Sequence, residues 1–310
     1  MVKQMPVGQA SKDQNRYSGR RIVLTTKHKK DKALARPIEV GTGLLVATVN
    51  LNTDQLGTFT REINRTDSAV KTAKNKARLG MRKVASKLGL ANEGSFGPHP
   101  DIPFIPSCYE VIVFIDDELG MEIVESIISA ETNFAHIQAS SKDDISDFLQ
   151  RARFPSHGLI VRPNKTDRSF FGKARELITR PAAGGSIFKG IRDKESLAEA
   201  VSLSQRLSFD GLAHIETDMR AHMNPTRMRV LRTLGINLAR RLCSGCPECE
   251  TPGFGMTGSE GALRCNECGY PTEFPALEIH SCAKCKFQQK LARKDGRTSV
   301  ESMHCSQCNP

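Results

Sequence analysis

Apolar residues along this 310-residue chain recur with two periods, and the alternation between them marks out its elements. Short aliphatic or β-branched runs occupy 21–26, 44–49, 110–116, 158–163, 186–191 and 212–217, and each predicts a strand. Several are apolar throughout, the pattern of a strand buried on both faces. Between them, apolar positions return every three or four residues. Val70, Ala73, Ala77, Met81, Val84 and Leu88 share one face of a helix predicted over 68–88, with Lys71, Lys74, Arg78 and Arg82 on a neighbouring stripe. Residues 141–154 and 193–207 open with Ser or Asp and further acids, as helix N-termini do. A last helix follows Asn224-Pro225, a cap with proline at the first helical position, and carries Met228, Leu231, Leu234, Leu238 and Leu242. Strands alternating with helices predict an α/β domain over 21–242, its mixed, largely parallel sheet covered by helices on both faces. Residues 1–20 are polar and unpatterned and predict a disordered basic arm.

The pattern breaks at 243. Nine of the ten cysteines lie in 243–310, eight of them in four Cys-x-x-Cys pairs: Cys246/Cys249, Cys265/Cys268, Cys282/Cys285 and Cys305/Cys308. Fifteen residues separate the first two pairs and nineteen the last two, the spacing of zinc ribbons, in which each pair forms a knuckle and the spacer a hairpin. Two structural zinc ions are expected, one from the first two pairs and one from the last two; interleaved pairing is the alternative, because spacing does not set connectivity. A four-thiolate site has no open coordination position, so its expected contribution is folding free energy. Cys108 and Cys243 are left over as buried or idle thiols. The chain opens without an apolar leader-like run, which favours a cytoplasmic location and reduced thiols over disulfides. No apolar run approaches the roughly 20 residues that span a bilayer.

Charge is unevenly placed. The formal net charge is +11, yet 243–310 holds seven Lys/Arg against eight Asp/Glu, whereas 1–36 holds ten Lys/Arg against two Asp. A second basic block runs from Lys71 to Lys87 without an acid. Both suit a polyanion, either nucleic acid tracked by the arm and the 68–88 helix or a nucleotide's phosphates.

Three segments concentrate polar chemistry. Asn92 to Pro100 combines Glu93 and His99 with two glycines and two prolines and predicts an irregular loop. Glu216 to Arg227 crowds Glu216, Asp218, Arg220, His222 and Arg227 against the start of the last helix, where free N–H groups and the dipole favour an anion. Thr25 to Lys30 places Lys27 and Lys30 after the first strand, at the end where α/β folds collect ligands. Walker, dinucleotide, serine-hydrolase and zincin motifs are absent from the sequence.

From residue 21 onward the chain resembles an uncharacterised bacterial family of unassigned function, on Gly57-Thr58-Phe59-Thr60, Glu93-Gly94-Ser95-Phe96-Gly97-Pro98-His99-Pro100, Thr132-Asn133-Phe134-Ala135-His136, Glu216 to His222, Asn224-Pro225-Thr226-Arg227 and the cysteine tail. A second resemblance is to the inosine-triphosphate pyrophosphatase superfamily, carried by Thr26 to Lys30, Lys76-Ala77 and Glu93-Gly94. His28 stands where that superfamily has asparagine, and its acidic pair before Lys-Ala is missing. That resemblance implies a strand-end phosphate loop and acids that help to hold magnesium.

The resulting expectation is a Mg²⁺-dependent phosphohydrolase or nucleotide-processing enzyme. Glu93, Glu216 and Asp218 would bind Mg²⁺; Lys27, Lys30, Arg220 and Arg227 would hold phosphates; His222 or His99 would move protons. Glu93 and Asp218 are expected to converge at one sheet edge. The rival expectation is a non-enzymatic zinc-ribbon protein that binds nucleic acid or a protein partner. The absence of Trp counts mildly against single-strand binding, which uses aromatic stacking platforms.

Overall fold

A computed structural model describes residues 16–51, 68–165 and 187–309. The chain begins with β1 (Arg21–Thr26), α1 (Asp31–Thr42), β2 (Leu45–Asn50), α2 (Ala69–Lys83), β3 (Leu88–Pro98), β4 (Pro106–Asp116) and β5 (Met121–Ser129). Their five strands form one sheet in the order β2-β1-β3-β4-β5. It is mixed, as expected, but not largely parallel. β1 runs parallel to β2 and β3, whereas β3, β4 and β5 pair antiparallel. The reason lies in the connections. A parallel return needs a crossover of a dozen or more residues, and only 99–105 and 117–120 join these last strands.

Helices cover both faces, and the period-2 alternation of the strands divides the core between them. Ile22, Leu24, Leu90, Ile112 and Phe114 pack with Leu34 and Ile38 of α1 and with the later helix α5 (Pro225–Leu242) through Leu231, Leu234 and Leu238. Val23, Ala91, Val111, Val113 and Ile115 pack on the other face against Ala73, Ala77 and Met81 of α2. α2 ends at Lys83, short of the 68–88 helix predicted above. Ala85 takes a left-handed conformation (φ 51°) and Leu88 opens β3. α1 had no prediction, because Pro37 inside it interrupts the helical pattern. The expected loop at 92–100 is strand as far as Pro98, paired with β4 along its whole length.

The disordered arm expected over 1–20 falls mostly outside the described residues, as do Gly57-Thr58-Phe59-Thr60. Residues 16–20, however, are structured. Tyr17 is fully buried, with its ring edge-on to Phe114 at 5.2 Å and its hydroxyl donating to Asp116 Oδ2 at 3.2 Å.

A second sheet follows from β6 (His136–Ala139), β7 (Leu159–Pro163), β8 (Phe188–Ile191) and β9 (Ala213–Thr217), ordered β6-β9-β7-β8 and antiparallel throughout. α3 (Ser146–Ala152) and α4 (Lys194–Leu207) cover one face, where Phe148, Leu197 and Val201 meet Leu159, Val161, Ala213 and Ile215. The two sheets are joined around Asn224, which caps α5 and donates to Asn133 Oδ1 at 2.8 Å.

The C-terminal module holds β10 (Gly255–Glu260), β11 (Arg264–Cys265), β12 (Leu277–Ser281), β13 (Gln288–Ala292) and β14 (Ser299–Val300). It is seated on β5 and α5. Arg241 of α5 donates to Gly253 O at 3.1 Å and Val124 O at 2.9 Å, and a Cβ at Gly253 would overlap Ile123. Among the described residues no helix is long and apolar enough to cross a membrane.

Candidate functional site

The three segments singled out by sequence meet at the carboxyl end of β1. Lys30 donates to Asn92 Oδ1 at 2.8 Å and Asn92 O at 3.2 Å, tying the loop after β1 to β3. Asn92 in turn donates to Glu110 Oε2 of β4 at 3.1 Å. Glu110 takes Arg227 Nε at 2.6 Å and Nη2 at 3.2 Å, and Arg227 also lies 5.0 Å over the Phe96 ring. In the outer part of the junction the His28 and His222 rings stack at 5.4 Å. His28 and Lys29 both have left-handed backbone (φ 65° and 57°), a costly conformation for non-glycine residues and one that concentrates at ligand clamps.

Two of the expected phosphate ligands are corrected by this arrangement. Lys30 and Arg227 are buried within the protein's own polar network, where a charge without a partner would be prohibitive. Burial and the nearby Arg227 push the Lys30 ammonium down to about 7. For Arg227 burial opposes the charge, but the Glu110 carboxylate holds the guanidinium protonated above its ordinary value. The α5 N-terminus is likewise filled from within. Asn224 accepts from Arg227 N at 2.9 Å and His157 Nε2 from Thr226 N at 3.2 Å, leaving those donors no anion to bind. Lys27 and His28 are half-buried at the mouth of the junction and Lys29 is exposed.

The carboxylates expected to share Mg²⁺ do not gather. Glu93 points from β3 towards α2 and pairs with Lys76 Nζ at 2.5 Å, while its neighbours Asn92 and Gly94 face α1 and α5. Asp218 lies near α5 and is gripped by Arg220, Nε to Oδ1 at 2.9 Å and Nη2 to Oδ2 at 2.6 Å. Glu216 lies on β9 with His214 Nε2 3.4 Å from its Oε2. Each acid has its own partner. Among the described residues, the groups of three or more possible metal ligands within 4.8 Å of one another are two cysteine quartets. The expected set of Glu93, Glu216 and Asp218 therefore does not fit one cation. His99 caps the far end of β3, accepting from Asp101 N at 3.2 Å; six strand residues at about 3.3 Å each put it about 20 Å along the chain from Glu93.

The quartets are Cys246, Cys249, Cys282 and Cys285, and Cys265, Cys268, Cys305 and Cys308. All eight cysteines named from the sequence thus gather into two groups that could each hold a metal ion, but the sequential pairing is replaced by the interleaved one. β10 pairs with β12, not β11, and this register sets Gly255 opposite Ser281, next to Cys282. β11 pairs with β14, Cys265 opposite Val300, and carries the second knuckle to the fourth. Phe254 seals the first quartet against Phe287. Cys108 and Cys243 stand outside both.

A sequence model described as a domain of unknown function, DUF6671, matches residues 76–310. The chain belongs to this family. The DUF6671 match takes in β3, the 216–227 segment and both quartets and begins after the β1 loop. No curated protein matches the chain. Sequence reasoning passed over Glu110, Lys76 and Asn92 as site residues. Glu110 was visible as the acid that opens the run apolar from Val111 to Ile115, because a charge in a doubly buried strand needs a partner.

Proposed function

We propose that this DUF6671 protein is a phosphohydrolase or nucleotide-processing enzyme whose phosphate-bearing ligand lies between the 27–30 loop and the 218–223 segment. The supporting observation is His222: its Nδ1 is buried without a hydrogen-bond partner while its ring stacks on His28 in the strained loop. A ligand oxygen is the missing partner. Asp218 engages Nε and Nη2 of Arg220 and so orients a partly exposed guanidinium whose planar fork suits phosphate. Burial and Arg220 hold the His222 imidazole below its usual range, so it is neutral and able to accept a proton. Lys27 and Lys29 supply positive charge at the mouth. Because Glu93, Glu216 and Asp218 are each paired within the protein, they form no Mg²⁺ ligand set in this reading.

The nucleic-acid alternative is weakened by α2. Lys74 pairs with Glu122 at 2.8 Å, Arg78 with Asp117 and Glu122, and Lys76 with Glu93, so much of the basic block is neutralised from within. The basic arm expected to share this role falls largely outside the described residues. In the cysteine module the metal is zinc and structural. With Zn–S bonds of about 2.3 Å, a tetrahedral centre has sulfur–sulfur edges of about 3.8 Å. Two edges of each quartet match, at 3.6 and 3.7 Å in one and 3.6 and 3.9 Å in the other, and the rest lie within 4.8 Å.

Thermal unfolding with inorganic phosphate, ATP or ATP with Mg²⁺ tests the ligand, since binding to the folded state alone raises the midpoint. A rise that Arg220→Ala and His222→Ala abolish is expected. No rise with any of the three, or a rise indifferent to both substitutions, refutes the crevice.

A further inference from the structure

Beyond the crevice, the second sheet has a face that its helices do not cover, and the strand register collects an unusual set of side chains there. The tetrapeptide Ala-His-Ile-(Gln/Glu) occurs twice, at 135–138 and 213–216, and the copies fall on neighbouring antiparallel strands. In β9, Ala213 and Ile215 enter the core with α3 and α4, so His214 and Glu216 point the other way. Register sets His136 of β6 opposite Glu216 of β9, and Arg162 of β7 opposite His214. The His136 and His214 rings stack at 5.4 Å. Glu216 Oε2, 3.4 Å from His214 Nε2, orients that ring. Arg162 Nε is buried without a hydrogen-bond partner, a costly omission for a charged donor unless a ligand completes it. Phe134 stands 6.5 Å from His136, presenting an aromatic surface beside the pair.

Two imidazoles, an arginine with an unfilled donor and one orienting carboxylate make an acid–base pair beside an anion hold. A shared divalent cation fits less well: the three possible ligands His136, His214 and Glu216 do not lie within 4.8 Å of one another, and Arg162 adds positive charge beside them. We propose that this face is a second site, independent of the crevice, that hydrolyses a phosphodiester bearing an aromatic or nucleoside group, with His136 and His214 as the catalytic pair. Arg162 binds a non-bridging oxygen. His136, exposed to solvent, takes a proton from water as the water oxygen forms its bond to phosphorus. The bond from phosphorus to the leaving oxygen breaks, its electron pair goes with that oxygen, and the His214 imidazolium supplies the proton. The products are a phosphomonoester and an alcohol, and exchange of a proton with solvent returns both rings to their starting forms. Phe134 stacks on the substituent.

The full-length protein is to be assayed on bis(p-nitrophenyl) phosphate and on 2′,3′-cyclic nucleotides, with p-nitrophenyl phosphate as the monoester control. Turnover of at least one diester is expected, and His136→Ala and His214→Ala should each lower kcat/KM by about 10²–10⁴-fold. The double variant should fall little further, because the two rings act as a unit. His136 is exposed, so its replacement should leave the thermal midpoint in place and separate lost catalysis from lost folding. Arg162→Lys keeps the charge and removes the fork, and should raise KM more than it lowers kcat. Diester turnover that survives both histidine substitutions overturns the proposal, as does no turnover of either diester. Arg220→Ala, which disables the crevice, should leave diester cleavage in place, so each site can fail without the other.

Discussion

Arg227 and Glu110 meet in the interior with neither side chain exposed, Nε to Oε1 at 2.6 Å and Nη2 to Oε2 at 3.2 Å, and so lock α5 to β4. Arg227 donates as well to Met219 O at 2.5 Å, which fixes the segment leading to Arg220 and His222. The pair thereby ties β4 and α5 to the 218–223 segment.

Removing one partner leaves the other charged and uncompensated. Arg227→Met should cost about 3–5 kcal/mol of unfolding free energy. Arg227→Met combined with Glu110→Leu should recover much of that loss, because an apolar pair carries no desolvation penalty. Chemical denaturation of the two variants measures the difference.

Gly94 is set by the same pair. A Cβ there would overlap the Glu110 carboxylate across the β3–β4 ladder. Gly94→Ala should destabilise the chain by about 1–3 kcal/mol through overpacking. Placing it in the Glu110→Leu background should change the loss, since neighbouring substitutions couple; a double-mutant cycle in urea reads the coupling.

Lys30 makes stability depend on alkaline pH. Burial and Arg227 lower its folded value to about 7, against an ordinary 10.5, so between those limits the unfolded chain binds more protons than the folded one. Stability contributed by this group therefore rises as pH climbs from about 7 towards 10.5, and the penalty of charging it is fully present below that window. Lys30→Met should flatten the slope. Calorimetric unfolding near pH 8.5 should show about one proton fewer taken up by the variant.

Cysteine connectivity is open to counting. Two zinc ions per chain are expected. In the interleaved arrangement Cys246→Ala with Cys282→Ala removes one ion, because both residues serve the same centre, whereas Cys246→Ala with Cys265→Ala removes both. Sequential pairing gives the reverse result, and metal analysis of the purified variants decides between them.

Strand and helix positions were legible wherever one period ran without interruption. The run at 21–26 is β1, the apolar segment at 110–116 lies within β4, and Asn224-Pro225 opens α5 as its cap and first residue. The cysteine quartets were legible as a set of eight. What misled was local punctuation: Pro37 hid a helix, and the glycines and prolines of 92–100 hid a strand. In both places packing across the sheet and against α5 outweighed local preference.

The sequence by itself determined which eight cysteines form the quartets and, through periodicity, which faces of the main elements are apolar. Tertiary structure alone decided partnership. Glu93 and Asn92 are adjacent in the chain, yet strand alternation sends one to Lys76 of α2 and the other to Lys30 and Glu110 on the opposite face. His136 and His214, 78 positions apart, become ring neighbours because β6 happens to pair with β9. Pairing of that kind is set by summed burial over whole strands and helices, and no local stretch of residues holds enough of that energy to reveal it.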